Sequence, residues 1–263
     1  MERGHIRLDT PVAETIPEFV VRGKAGITLA YLLCHMAGMP ATNPNLALEG
    51  QGDLEQVVAS VCGEALVSVP GERVSYSPIM AHAIIGELVR QLDGGKTRLG
   101  DIMARDIFAP FGMREELAAR AVPVIVRDRR PGMFDADSAE ALGRLVLDVS
   151  VDAEIPSGGV VSTAGDIFRF AEALRRGGSL EEVRILSPAT VALATRIHSG
   201  DKTNSLYDFA RGMRDWPKFP ANLGFGFFVR GSGHHPTYFG MSASPATFGA
   251  MEAGSTLFWV QAV

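Results

Sequence analysis

A chain of 263 residues can bury a sizeable core, as one large domain or two intimate lobes. Hydrophobic residues make up 46% of it and charged residues 21%, the ordinary balance of a soluble globular protein. The formal net charge of −5 gives no basic footprint, which argues against nucleic acid as a partner. No apolar run reaches the roughly 18 residues of a membrane span, so no membrane association is expected.

The start, Met1-Glu2-Arg3-Gly4-His5, has no basic segment followed by an apolar stretch, so no secretory leader is expected and the compartment is expected to be cytoplasmic. Cys34 and Cys62 make no disulfide framework in a chain this long. Both lie in apolar helical patterns and are expected as small buried hydrophobes.

Residues 7–22 read as an irregular lead-in. Thr28 is placed to cap a helix with apolar positions Leu29, Leu32, Leu33 and Met36, ended by Gly38 and Pro40. The stretch 41–52 reads as loop, and 54–61 as helix with Val57, Val58 and Val61 on one side. After the turn Pro70-Gly71-Glu72, Tyr76-Ser77-Pro78 opens a helix over 79–92, with Ile79, Ala83, Ile84, Leu88 and Leu92 on one face. Further helices are predicted over 102–111, stopped by Gly112, and over 137–148. Gly158-Gly159 marks a sharp turn, and Thr163-Ala164-Gly165-Asp166 is a capping box for a helix over 167–175 that Gly177-Gly178 ends. Ser187-Pro188 caps a short helix over 189–196. The period then switches, and 224–229 and 256–260 read as strands separated by a Gly- and Ser-rich connection. Helices through the middle and antiparallel strands at the end predict an α+β protein, a single domain over 1–263.

Several short motifs fail on inspection. Gly94-Gly95-Lys96-Thr97 ends like a phosphate-binding loop, but Arg90 stands where the first glycine belongs and the segment follows a helix. Gly231-Ser232-Gly233 has Pro236 where a dinucleotide site needs its third glycine. His234 and His235 point to opposite sides of an extended segment, with no ligand cluster at metal spacing, so both are expected as exposed loop residues. Ser199-Gly200-Asp201-Lys202 is the one Ser-x-x-Lys of the chain. Its glycine and aspartate predict a loop, whereas the chemistry needs a helical face on which the lysine takes the serine proton. No metal and no cofactor are expected.

Six segments stand in one order. Ile27-Thr28-Leu29-Ala30-Tyr31-Leu32-Leu33-Cys34-His35-Met36-Ala37-Gly38-Met39 comes first, then Pro70-Gly71-Glu72 leading to Tyr76-Ser77. Ile107-Phe108-Ala109-Pro110-Phe111-Gly112-Met113 follows. Gly158-Gly159-Val160-Val161-Ser162-Thr163-Ala164-Gly165-Asp166 is next, and Leu223-Gly224-Phe225-Gly226 with Phe248-Gly249 close the series. Together they resemble the serine β-lactamase-like family of class C β-lactamases, D-Ala-D-Ala carboxypeptidases and related esterases and transesterases. The resemblance implies a β-lactamase/transpeptidase-like fold, with a helical region over roughly 24–200 and an incomplete antiparallel sheet over roughly 222–263.

The resemblance assigns Tyr76 and Ser77 to catalytic positions, the tyrosine oxygen relaying a proton to the leaving group. The other reading of Tyr76 is a ring packed under its turn, and His35 reads as a hydrogen-bonded core histidine. Pro78 replaces an asparagine whose amide would contact substrate. Ala250, Glu252 and Ala253 fall at the third motif, as substrate-binding positions. There a methyl group stands in for a cation, an acid replaces a glycine, and the Ala253 amide is left to offer one oxyanion-hole bond. Glu252 would disfavour anionic substrates.

The family's Ser-x-x-Lys helix precedes the segment that here begins at Leu8, so the nucleophile segment is expected to be absent, as are the final strand and helix. The implied function is that of a hydrolase or acyltransferase on an ester or amide, lacking its nucleophile segment. The alternative is an inactive family member acting as a binding or scaffold protein. Expected partners are a small-molecule ester or amide, and a second copy or second chain completing the sheet.

Overall fold

The computed structural model describes residues 1–43, 45–47, 50–113, 153–158, 162–235, 237–251 and 257–261. The expected helix over 137–148, Gly159, and the substrate-binding positions Glu252 and Ala253 lie outside them.

Two 3-10 turns, Val12–Glu14 and Pro17–Val20, make up the lead-in. Helix α1, Leu29–Leu33, stops earlier than its apolar pattern predicts, and Thr28 makes no side-chain cap bond. His35 takes a left-handed φ of 51°. Its N–H donates to the Leu32 carbonyl at 3.1 Å, and the Met36 N–H donates to the Tyr31 carbonyl at 2.8 Å. These are the two bonds of a Schellman turn, with histidine where glycine is usual.

Helix α2, Leu54–Gly63, is capped by Asp53, whose carboxylate accepts from the Glu55 and Gln56 amides. Helix α3, Pro78–Leu92, starts with proline at its first position, where the missing N–H costs nothing. Its buried face is Met80, Ala81, Ala83, Ile84 and Leu88, each large side chain stabilising by about 1.5–3 kcal/mol. Of the expected face, Ala83, Ile84 and Leu88 are buried, whereas Ile79 is half-buried and Leu92, in the last turn, is exposed. Val12, Phe19, Ile27, Leu32, Leu54 and Val61 complete that core with Met80 and Ile84.

The helix expected over 102–111 is helix α4, Leu99–Met103, followed by a wider π-type turn, Ala104–Phe108, in which the Ala109 N–H reaches the Ala104 carbonyl at 2.9 Å. Phe108, Phe111 and Met113 are buried beneath it.

Helix α5, Ala164–Arg175, opens on the Thr163 cap, one half of the expected capping box: the Thr163 Oγ1 accepts the Asp166 N–H at 3.1 Å and donates to Asp166 Oδ2 at 2.8 Å. A two-residue hairpin pair, β1 (Ser179–Leu180) and β2 (Val183–Arg184), follows. Helix α6, Pro188–Ala194, is capped by Ser187 as predicted, and helix α7, Asp208–Arg214, has no counterpart in the sequence reading.

The late sheet has the antiparallel order β3 (Phe228–Val229), β4 (Phe248–Met251), β5 (Leu257–Val260). Phe228 pairs with Gly249, and Gly249 in turn with Trp259. The strand expected over 224–229 is mostly a turn. Gly226 is left-handed at φ 81°, the Gly224 N–H donates to the Phe227 carbonyl at 2.8 Å, and Leu223 bridges back to Phe228. Helix α5 packs on β5, with Phe170 edge-on to Phe258 at 6.0 Å. The architecture is α+β. Among the described residues, no helix is long and apolar enough to cross a membrane.

Candidate active site

Residues 74–77 lead into α3 as an extended strip whose amides and carbonyls alternate between two partners, as the period of two along extended chain requires. On one side lies the 204–205 segment. Ser205 donates its N–H to the Val74 carbonyl at 3.1 Å, and the Tyr76 N–H donates to Ser205 Oγ at 3.2 Å. On the other side lies His35. Its carbonyl accepts the Ser75 N–H at 2.8 Å, and its Nδ1 accepts the Ser77 N–H at 3.3 Å.

This geometry fixes the histidine's chemistry. An imidazole that accepts at Nδ1 carries its proton on Nε2. Burial, with a smaller contribution from His82, pushes His35 down to about 3, so the ring is neutral at physiological pH. His35 is therefore the hydrogen-bonded core histidine that the sequence suggests. His82, one turn into α3, is also held below its ordinary value by burial and donates Nδ1–H to the Pro78 carbonyl at 2.7 Å.

The Tyr76 ring is half-buried. It lies 4.5 Å from the His35 ring at a tilt of 47°, and 6.2 Å from Phe228 of β3, so it bridges the helical core and the sheet. Its surroundings are Cys34, Met36, Val74, Ala221, Leu223 and Phe228. Ser77 is fully buried, and its Oγ has no hydrogen-bond partner among the described residues. Pro78 is half-buried at the first position of α3. Ala250 is half-buried on β4, paired with Phe258. The Tyr76 strip thus reaches β4 through Phe228, whose register partner Gly249 precedes Ala250.

A family model described as Beta-lactamase matches residues 1–259. The chain belongs to the β-lactamase family. It is 30% identical over 224 residues to the esterase/beta-lactamase LipL of Mycobacterium tuberculosis, a match covering 74% of this chain and 51% of that protein. It is 29% identical over 202 residues to penicillin-binding protein 4 of Amycolatopsis lactamdurans, covering 73% and 51%. A solved penicillin-binding protein homologue from Caulobacter crescentus superposes with a TM-score of 0.70 at 21% identity, over 95% of this chain and 66% of that one. That likeness shows the fold. The chain spans about half the length of these two curated relatives.

Near Tyr76, this β-lactamase-family chain packs Tyr207, Phe219, Phe228, Tyr238 and Phe239 around a narrow cleft of about 10 Å³, room for about one water, with Asn222 and His235 at its polar end. The Tyr207 phenol is pushed far up by burial, and further by the neighbouring phenols of Tyr238, to which it hydrogen-bonds, and Tyr76. The sequence reading missed Tyr207 and Tyr238, which carry no motif and arrive from distant loops. His235, expected to be exposed, is half-buried: it stacks on Phe219 at 5.5 Å and contacts Asn222 Nδ2 through Nε2 at 3.2 Å, while His234 is exposed as expected. Among the described residues no His/Cys/Asp/Glu group could hold a metal ion. Ser199 sits in the predicted turn, buried, with its Oγ accepting the Leu223 N–H at 3.0 Å, so it is not presented to Lys202 on a helical face.

Proposed function

We propose that this chain builds the proton-relay side of an acyl-transfer site, in a hydrolase or acyltransferase of the serine β-lactamase type acting on an ester or amide. The observation that carries this reading is the two-sided hold on residues 74–77, which fixes Tyr76 where the helical core meets the sheet. A phenol held in one place can take the proton of an attacking hydroxyl and return it to the leaving group. The buried Ser77 serves as backbone of that hold, while Pro78 and Ala250 flank the approach, with Glu252 and Ala253 following on in sequence. In this reading the whole of 1–263 acts as one domain. The edge of the sheet at β5, where Trp259 is 52% exposed, is covered by further strands or by a second copy. A soluble monomer in sedimentation at high concentration would exclude the second copy.

Hydrolysis of an activated ester such as p-nitrophenyl butyrate, together with fluorophosphonate labelling, tests the chemistry. In the protein that supplies the attacking hydroxyl to this site, Tyr76→Phe keeps the ring contacts and is expected to lower kcat by about 10²–10⁴-fold with KM nearly constant. An unchanged kcat rejects the relay. One observation favours a second reading, a protein that binds without reacting: Ala250 presents a methyl group where the family resemblance implies a cation. Ligand-induced thermal stabilisation with neither labelling nor turnover would favour that reading.

A further inference from the structure

We propose that His35 is the positioning residue for Tyr76, holding the phenol in register from behind through one backbone bond, one side-chain bond and one ring contact. This rests on the reading of Tyr76 as the relay, but the hold itself is a separate claim. Three consecutive residues meet this one histidine. Ser75 bonds its carbonyl, Tyr76 leans on its ring, and Ser77 bonds its Nδ1. Ser77 cannot secure itself. It occupies the cap position of α3 yet makes no side-chain cap bond, and Pro78 removes the next backbone donor. The amide of Ser77 is therefore the last backbone donor before the helix, and an imidazole nitrogen receives it.

The position itself marks out the side chain. His35 adopts φ 51° at the end of α1, a conformation in which glycine would close the same turn with less strain. A glycine there would keep the carbonyl that Ser75 uses but supply neither the Nδ1 acceptor nor the ring. The ring is itself confined, with the His82 ring 5.5 Å away and 7% of the residue exposed. Tyr76 thus rests on a fixed aromatic surface, and a displacement of about 1 Å at a reacting group can cost on the order of 100-fold in rate.

The test uses the ¹⁵N- and ¹³C-tyrosine-labelled protein with two variants that suit a left-handed residue. His35→Gly keeps the turn and removes the hold. His35→Asn keeps the turn and offers an amide oxygen near the place of Nδ1. In His35→Gly, exchange of the Ser77 amide is expected to rise at least about tenfold, while that of Ser75 stays within about threefold. The Tyr76 ring signal shifts or broadens, and kcat for the activated ester falls at least about tenfold with KM within about threefold. His35→Asn is expected to restore Ser77 protection and part of kcat. The proposal is overturned if Ser77 exchange and the Tyr76 signal are the same in His35→Gly as in the parent. It is also overturned if kcat is unmoved in His35→Gly while Tyr76→Phe abolishes turnover. If Tyr76→Phe leaves turnover untouched, the relay reading falls, and the exchange and ring signals still decide the hold.

Discussion

Gly249 of β4 lies directly against the backbone of β5 at Phe258. A methyl group built on its α-carbon would stand well inside contact distance of the Phe258 carbonyl oxygen and 2.9 Å from the Trp259 α-carbon. Both are backbone atoms, so the strand must move to admit even one carbon. Gly249→Ala is expected to destabilise the fold by about 1–3 kcal/mol, read as a lower urea midpoint at constant slope. Gly212→Ala is the matched control. That glycine is exposed within α7 with nothing within 4 Å, and alanine there should stabilise by up to about 1 kcal/mol. Equal midpoints for the two variants would contradict the close approach at Gly249.

Local signals were readable in proportion to how local their cause is. The Thr163 cap, the Ser187 cap and proline at the start of α3 depend on atoms within four residues of one another, and each appears as expected. The strand expected over 224–229 failed because Gly226 turns the chain, and a hydrophobic run such as Phe225, Phe227 and Phe228 cannot report that. Helix α1 failed for the same kind of reason: its apolar pattern runs on to Met36, but His35 leaves the helix to meet residues 75–77. The tyrosine turn was legible through the resemblance. The two partners that hold it come from 41 positions earlier and 129 later, His35 and Ser205, and no spacing rule connects them.

Thr163 secures α5, and α5 lies on the sheet through Phe170 and Phe258. Removing the hydroxyl deprives the Asp166 amide of its acceptor and the Asp166 carboxylate of a donor. Thr163→Ala is expected to cost about 1 kcal/mol, and Thr163→Ser close to nothing. Chemical denaturation of the two variants side by side checks this, and equal losses would mean that the methyl group matters more than the cap.

Cys34 and Cys62 are free and buried. Burial pushes the Cys34 thiol up to about 12 and raises that of Cys62 as well, so neither is a thiolate near neutral pH. The Cys34 Sγ also faces the Gly224 carbonyl at 3.5 Å. Both thiols should resist a disulfide reagent in the native protein and react promptly in guanidinium. Fast native labelling at Cys34 would show that the turn over 223–228 opens readily.

The histidines behind Tyr76 give stability a definite pH dependence. His35 is held near 3 in the folded protein, against an ordinary value of 6.5, so below 6.5 the unfolded chain takes up a proton that the folded one refuses. Stability from this group is complete above 6.5 and is lost as pH falls towards 3, at up to about 1.4 kcal/mol per pH unit. His82, also lowered by burial, adds a loss of the same sign. Carboxylates held low by arginine, such as Glu172 at about 2, add their own losses only at more acid pH, which leaves about pH 6.5 to 4.5 as the window dominated by histidine. Urea denaturation across that window should show stability falling in the parent, and falling less steeply by close to one proton in His35→Gly. The same slope in both proteins would mean that the ring charges in place, and Nδ1 would then stop accepting from Ser77 below the ordinary histidine range.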